Sequence, residues 1–217
     1  MLTFNENEHK YYLNNKELTS VTTYINGFKN KDIYINRYSE DEKESKFKEW
    51  NDKLIEASKF GTKVHNLIYD YVKFNICHDD DKLAGDMSPA NLYLSYAIDY
   101  IKDKKVLYAE EIVYDEKLGL AGTFDIILKD KDEIVLVDWK TSKSIWLDSK
   151  HKMKEPYNNL DDCNYNHYGL QLCLYKYMTE KKYDIKIDRM VIAHICEIGL
   201  IEYVVSNDFY NKIIKII

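Results

Sequence analysis

The stretch "GTFDIILKDKDEIVLVDWK", residues 122–140, decides the reading of this chain. Two runs of strand-favouring residues, Leu120 to Leu128 and Ile134 to Lys140, flank Asp130-Lys131-Asp132-Glu133, which reads as a tight turn. A turn centred between Lys131 and Asp132 sets Asp125 opposite Asp138, amid apolar neighbours. Opposed side chains on one face of an antiparallel pair sit about 5 Å apart at Cβ, so two carboxylates there repel. Lys140, two residues beyond Asp138, shares that face because side chains alternate along a strand. Folding gains nothing from such a pair. The repulsion is relieved by protonating one acid, by pairing with Lys140, or by a divalent cation held between the carboxylates.

Working outward, the rest of the chain bounds what this hairpin can serve. With 217 residues and 45% hydrophobic content, the sequence can fold as one domain with a substantial core. It shows no run of 18 apolar residues and no basic-then-apolar leader, so the expectation is a cytoplasmic protein with no membrane partner. Cys77, Cys163, Cys173 and Cys196 are scattered without a CxxC pair, which argues against a zinc ribbon or a disulfide scaffold. A formal charge of −6 does not advertise a nucleic-acid binder. A local cluster can still contact phosphates, and Lys143, Lys150, Lys152 and Lys154 form one just past the hairpin. With only Arg37 and Arg189 as arginines, the composition suits phosphate contact better than base reading.

Short strands are expected over residues 2–13 and a helix capped by Ser20 runs to Phe28. A charged helical pattern spans about Ile33 to Phe60, most simply a solvated face, and further helices run from Thr62 to about Ile76 and from about Pro89 to Asp103. Strands near 105–114, 120–129 and 133–140 precede a long irregular stretch, a helix near 166–180, strands near 187–196 and 200–205, and a terminal helix. Helices on both sides of a run of strands predict an α/β or α+β layered domain.

Four further features converge on the hairpin. His65, in "GTKVH", sits one turn inside a helix whose inward face includes Ile68, Tyr69 and Val72; a lone histidine there is more often a core residue than a ligand. "YAEEIVYD" puts Glu110 and Glu111 in the preceding strand, and one of them shares the face of Asp125; a one-residue slip in the turn from Asp115 to Gly119 exchanges them. Gln171 and Tyr175 lie four apart on one helix face, where an amphipathic edge is the plain alternative. Residues 142–165 lack periodicity, and loops longer than about 15 residues are uncommon unless functional or disordered.

In order, Gly61 to His65, Glu110, Asp125, Asp138-Trp139-Lys140 and Gln171 to Tyr175 resemble the motifs of RecB-like nucleases in the PD-(D/E)xK superfamily. "HKYYL", "SVTTYI" and Trp50 add a resemblance to phage exonucleases and to mitochondrial genome maintenance exonucleases, so it covers residues 9 to about 178. The resemblance implies an α/β fold with a restriction-endonuclease-like core, a central mixed β-sheet flanked by helices. It implies one nuclease domain over 1–217, with an N-terminal extension (1–60), the core (61–205) and a terminal helix (206–217). It implies Mg2+ or Mn2+ held by Asp125, Asp138, the Trp139 carbonyl, His65 and Glu110, with Glu110 favoured over Glu111. Lys140, Gln171 and Tyr175 would complete the catalytic set with the two aspartates. Relatives with an iron–sulfur cluster carry one cysteine ahead of the core and a close trio after it; here the cysteines are far apart, and no cluster is expected.

The function implied is a metal-dependent DNA exonuclease acting on free ends, of single strands first, in replication, recombination or repair, in a bacterial or phage-infected cell. Loop 142–165 would cover the site and admit a threaded strand, and the 20 tyrosines include candidates for stacking on unpaired bases. An endonuclease on the same fold, or a DNA-holding module without chemistry, is the alternative.

Overall fold

The computed structural model describes residues 2–5, 10–30, 38–74 and 88–217. His9, Ile33 to Arg37 of the expected charged helix, the expected end of the next helix at Ile76, and Cys77 lie outside these.

Along the chain come β1 (Leu2–Asn5), β2 (Lys10–Leu13), β3 (Lys16–Ser20), α1 (Val21–Asn26), α2 (Glu40–Phe74) and α3 (Pro89–Ile101). They are followed by β4 (Lys105–Asp115), β5 (Leu120–Asp130), β6 (Glu133–Lys140), α4 (Asn164–Tyr183), β7 (Arg189–Cys196), β8 (Gly199–Val205) and α5 (Asn207–Ile214). The architecture is α/β, a mixed sheet between two helical layers. Strands run β1-β2-β3-β5-β6-β7-β8, with β4 paired to β5. The β3–β5 and β6–β7 pairs are parallel and the others antiparallel.

Local chemistry explains most elements. Ser20 accepts the Thr23 amide and so starts α1, while Ser88 followed by Pro89 starts α3. Asp115 closes the β4–β5 turn by accepting from the Lys117 and Leu118 amides and pairing with Lys181 at 2.6 Å. One expectation fails at Gly61. Its break between two helices is absent, and α2 runs through it for 35 residues. An interior glycine costs a helix only about 1 kcal/mol relative to alanine. The missing side chain matters for packing, since a Cβ there would lie 3.1 Å from Thr141 Oγ1 at the end of β6.

One core packs α1, α4 and α5 on one face of the sheet, with Phe124, Ile127, Leu136, Met190 and Ile192 pointing into it. The other packs α2 and α3 against Ile126, Leu128, Val135, Val137, Trp139 and Val191. The irregular stretch after β6 is part of the first core, since Ile145, Met153 and Tyr157 are buried there. It is further tied by Lys154 N to Phe28 O, by Asn30 N to Asp162 Oδ2, and by the Lys152–Asp161 ion pair. What the sequence reads as a cover is therefore built as a packed wall on the α4 side.

Candidate active site at a split in the sheet

β5 changes partner half way. Its first residues pair with β3 at Thr19↔Leu120 and Ser20↔Ala121, and its last five with β6, from Ile126↔Val137 to Asp130↔Glu133. Between them the sheet opens. The expected pairing of Asp125 with Asp138 lies one step beyond the last pair of the ladder, and the Asp125 carboxylate turns into the gap. Its Oδ2 accepts the Trp139 amide at 2.6 Å, and its Oδ1 is 3.4 Å from His65 Nδ1.

β4 is distorted at the matching point. The register keeps Ala109↔Ile126 and Glu111↔Phe124 but omits the pair between them, and Glu110 has φ of 51°. A non-glycine residue in that left-handed region is uncommon, and such strain persists only where surrounding structure imposes it. The distortion breaks the alternation of β4. Glu110 joins His65 from α2, whereas Glu111 turns towards α4, where Tyr183 donates its hydroxyl at 3.0 Å and Lys182 lies 3.5 Å away.

His65, Glu110 and Asp125 each offer a ligand atom, and these atoms lie within 4.8 Å of one another. With Ile68, Tyr69, Val72 and Trp139 they line a cavity of about 10 Å³, close to the volume one ion or water requires. Burial, then the Asp125 charge, pushes Glu110 up to about 8. Burial alone would raise Asp125 too, but the His65 and Lys140 charges and the Trp139 amide hold it below the usual carboxylate range. His65 is disfavoured as a cation by burial and favoured more strongly by Asp125, so its pKa is raised. Burial and the Asp125 charge both disfavour a bare Glu110 carboxylate, as in a site that takes a cation, and a His/Glu/Asp set can bind a metal ion.

Asp138 and Lys140 lie beside this trio, on the face towards α4. Asp138 is 1% exposed, so it does not sit at an open strand end. Its Oδ1 has no hydrogen-bond partner among the described residues, and its Oδ2 meets the Lys140 ammonium at 2.6 Å without hydrogen-bond geometry. Burial, partly offset by Lys140, pushes Asp138 up to about 6. Asp115, equally buried, accepts from two backbone amides and pairs with Lys181, whereas Asp138 is answered by the Lys140 ammonium alone. Burial opposes the charge on Lys140, but Asp138 and Asp125 outweigh it and keep the ammonium protonated.

Gln171 Oε1 accepts from Lys140 Nζ at 3.3 Å, and Gln171 Nε2 donates to Tyr175 Oη at 3.4 Å. The expected α4 pair is thus a relay that fixes the ammonium. Burial, reinforced by the Asp138 charge, keeps the Tyr175 hydroxyl protonated. The Trp139 carbonyl, expected as a ligand, lies 3.0 Å from His65 Nε2. Lys143, Lys150, Lys152 and Lys154 are exposed on the wall, and Lys152 is paired with Asp161.

The sequence reading missed two residues. The Tyr168 ring lies 4.7 Å from Lys140 Nζ, and its position three before Gln171 on α4 was the available signal. A Cβ on Gly122 would lie 2.7 Å from Tyr175 Cε1, so the glycine makes room for the ring. Nothing local to residue 122 announces that contact.

No protein-family model matches the sequence, and no curated protein does. Two solved structures are similar at 15% identity: a protein of Eubacterium rectale provisionally named an exonuclease, with a TM-score of 0.44 over 73% of this chain, and SSO0001, with 0.31 over 57%. The chain spans 62% of the length of the first and 53% of the second.

Proposed function

We propose that the chain is a metal-dependent deoxyribonuclease of the PD-(D/E)xK type, working as a single domain from free ends of single-stranded DNA. The observation that supports this best is the convergence of His65, Glu110 and Asp125 within 4.8 Å, beside the ion-paired Asp138 and Lys140. The trio and Asp138 would hold Mg2+ or Mn2+; hard cations take carboxylate oxygens, and Mn2+ also accepts imidazole. Such an ion supplies polarisation of the scissile phosphate and a lowered pKa for the attacking water.

The chain's own groups have distinct parts in this reading. Lys140, held by Gln171 and Tyr168, orients the water and offsets negative charge building on the phosphate. Tyr175 sets the Gln171 amide, so it positions Lys140 at one remove. Glu110, whose pKa burial and the Asp125 charge raise to about 8, would be one of the carboxylates that hold the ion, and binding there would favour its ionised form. Exposed Lys143, Lys150 and Lys154 offer backbone contacts without base reading, which favours an enzyme that acts without regard to sequence.

Circular and linear single-stranded DNA of one sequence, each incubated with Mg2+ or Mn2+ at low salt, test this. The linear form is degraded and the circle persists. Rapid loss of the circle makes the protein an endonuclease; survival of both forms removes the nuclease reading.

A further inference from the structure

A hollow of about 570 Å³ wraps the outer edge of β4, next to the small cavity of the candidate metal site, and Tyr69, Val72, Ala109 and Glu110 line both. Among the described residues β4 pairs only with β5, and its other edge has no strand partner there. One wall is α2, with Tyr69, Val72 and Lys73; the floor is β4 from Leu107 to Ile112; Lys182 of α4 and Leu2 of β1 complete it. Pockets of about 300–1,000 Å³ hold small organic molecules of nucleotide size.

Its chemistry is that of a nucleotide site. Tyr108 stacks on Tyr183 of α4 with ring centroids 4.3 Å apart and planes inclined by 31°. Tyr69, on the α2 wall, carries the Lys73 ammonium 4.8 Å from its ring centre. Two tyrosines thus stand on separate walls, already fixed by their neighbours. The charges also sort themselves. Lys182 is engaged with the Ile112 carbonyl and Glu111, and Glu110 belongs to the cation site. Lys73 donates to the Tyr69 hydroxyl and brings a positive charge to the hollow beside that ring.

We propose that this hollow holds the nucleotide adjoining the scissile phosphate, its base against Tyr69 and Tyr108 and its outer phosphate at Lys73. The inference rests on the nuclease reading above. Because β4, β5 and β6 are neighbours in that order, a strand entering here crosses the cation site on β5 and leaves towards the lysine-bearing wall after β6. The volume of the hollow is that of an unpaired nucleotide.

The test is binding of a fluorescent single-stranded oligothymidine in Ca2+, followed by steady-state cleavage in Mn2+, for the wild type, Tyr108→Ala and Lys73→Glu. Each variant is expected to weaken binding by about ten-fold, in line with loss of one stacked base or one phosphate contact, and to raise KM far more than it lowers kcat. The Mn2+-induced rise in melting temperature stays at the wild-type value, which shows that the cation site and fold survive. If the wild type binds and cleaves but both variants match it, the hollow is not the nucleotide site and the nuclease reading stands. If the wild type neither binds nor cleaves, both fall. A blunt duplex bound as tightly as the single strand, and weakened equally by Lys73→Glu, overturns the unpaired-nucleotide assignment.

Discussion

The two ends of the β5–β6 hairpin are built on opposite terms. At the turn end, five residue pairs from Ile126↔Val137 to Asp130↔Glu133 run in regular register, and Leu128, Val135 and Leu136 are fully buried. At the other end the ladder stops, Asp125 enters the gap, Glu110 is forced to φ of 51°, and Asp138 is buried with an unanswered oxygen. At the turn end the strands pair regularly, and the one left-handed residue, Lys131 at φ of 55°, sits in the two-residue turn, where such a φ belongs. The open end breaks several rules of strand pairing within a few residues, and the departures share one location. Local rules that fail together in one place mark a site whose arrangement is held by the rest of the fold for a purpose other than stability.

The largest expected effect breaks the comparison at the open end. Lys140→Ala should lower DNA cleavage by at least about 100-fold, the loss typical of removing one group that stabilises transition-state charge. Single-turnover rates in Mn2+ measure this, and a near-normal rate would remove Lys140 from the chemistry. At the turn end the loss should be of folding instead. Leu136→Ala should cost about 2–5 kcal/mol in chemical denaturation, because a buried leucine leaves a cavity. Between the two lies Gly122→Ala, which presses on Tyr175 and should cost about 1–3 kcal/mol while also slowing cleavage through Gln171 and Lys140. Loss of stability without any change in rate would disconnect Tyr175 from the site.

The pH dependence of stability separates the ends again. Glu110 is raised to about 8 in the folded protein, so its contribution is lost as pH rises from the unfolded carboxylate value towards 8. Asp138, raised to about 6, and His65, also raised, act in the same direction. His167, whose pKa burial lowers to about 4, opposes them below its unfolded value of about 6.5. The clean window is therefore between about pH 6.5 and 8, where the cation-free protein should lose stability as pH rises. Melting scans in EDTA should show this slope, Glu110→Gln should flatten it, and Mn2+ should reverse it. The smallest effect belongs to the wall. Lys143→Ala should reduce the salt dependence of single-strand binding by about 0.7 in slope, the share of one phosphate contact.

Much of this hairpin was legible because its signals are local. The turn at Asp130 to Glu133, the strand limits and the grouping of Asp125, Asp138 and Lys140 all follow from alternation and turn chemistry. The spacing of Gln171 and Tyr175 likewise placed both on one face of α4. What escaped depends on contacts distant in sequence. Gly61 read as a helix break because propensity says nothing of Thr141, which needs the space. The twist at Glu110 and the halt of the ladder before Asp125 arise because β5 serves β3 and β6 in turn, which no window of sequence displays. The loop after β6 read as a cover since its buried anchors, Ile145, Met153 and Tyr157, are single residues without a period.

Whether the end of the hairpin at Asp125 and Asp138 works as a metal-dependent nuclease centre is decided by one assay. An end-labelled single-stranded oligonucleotide is incubated with the wild type and with Asp138→Asn, each in Mn2+ and in EDTA. Degradation is expected from the wild type in Mn2+ and from none of the other three combinations. Cleavage that survives EDTA, or that Asp138→Asn carries out at the wild-type rate, contradicts that expectation.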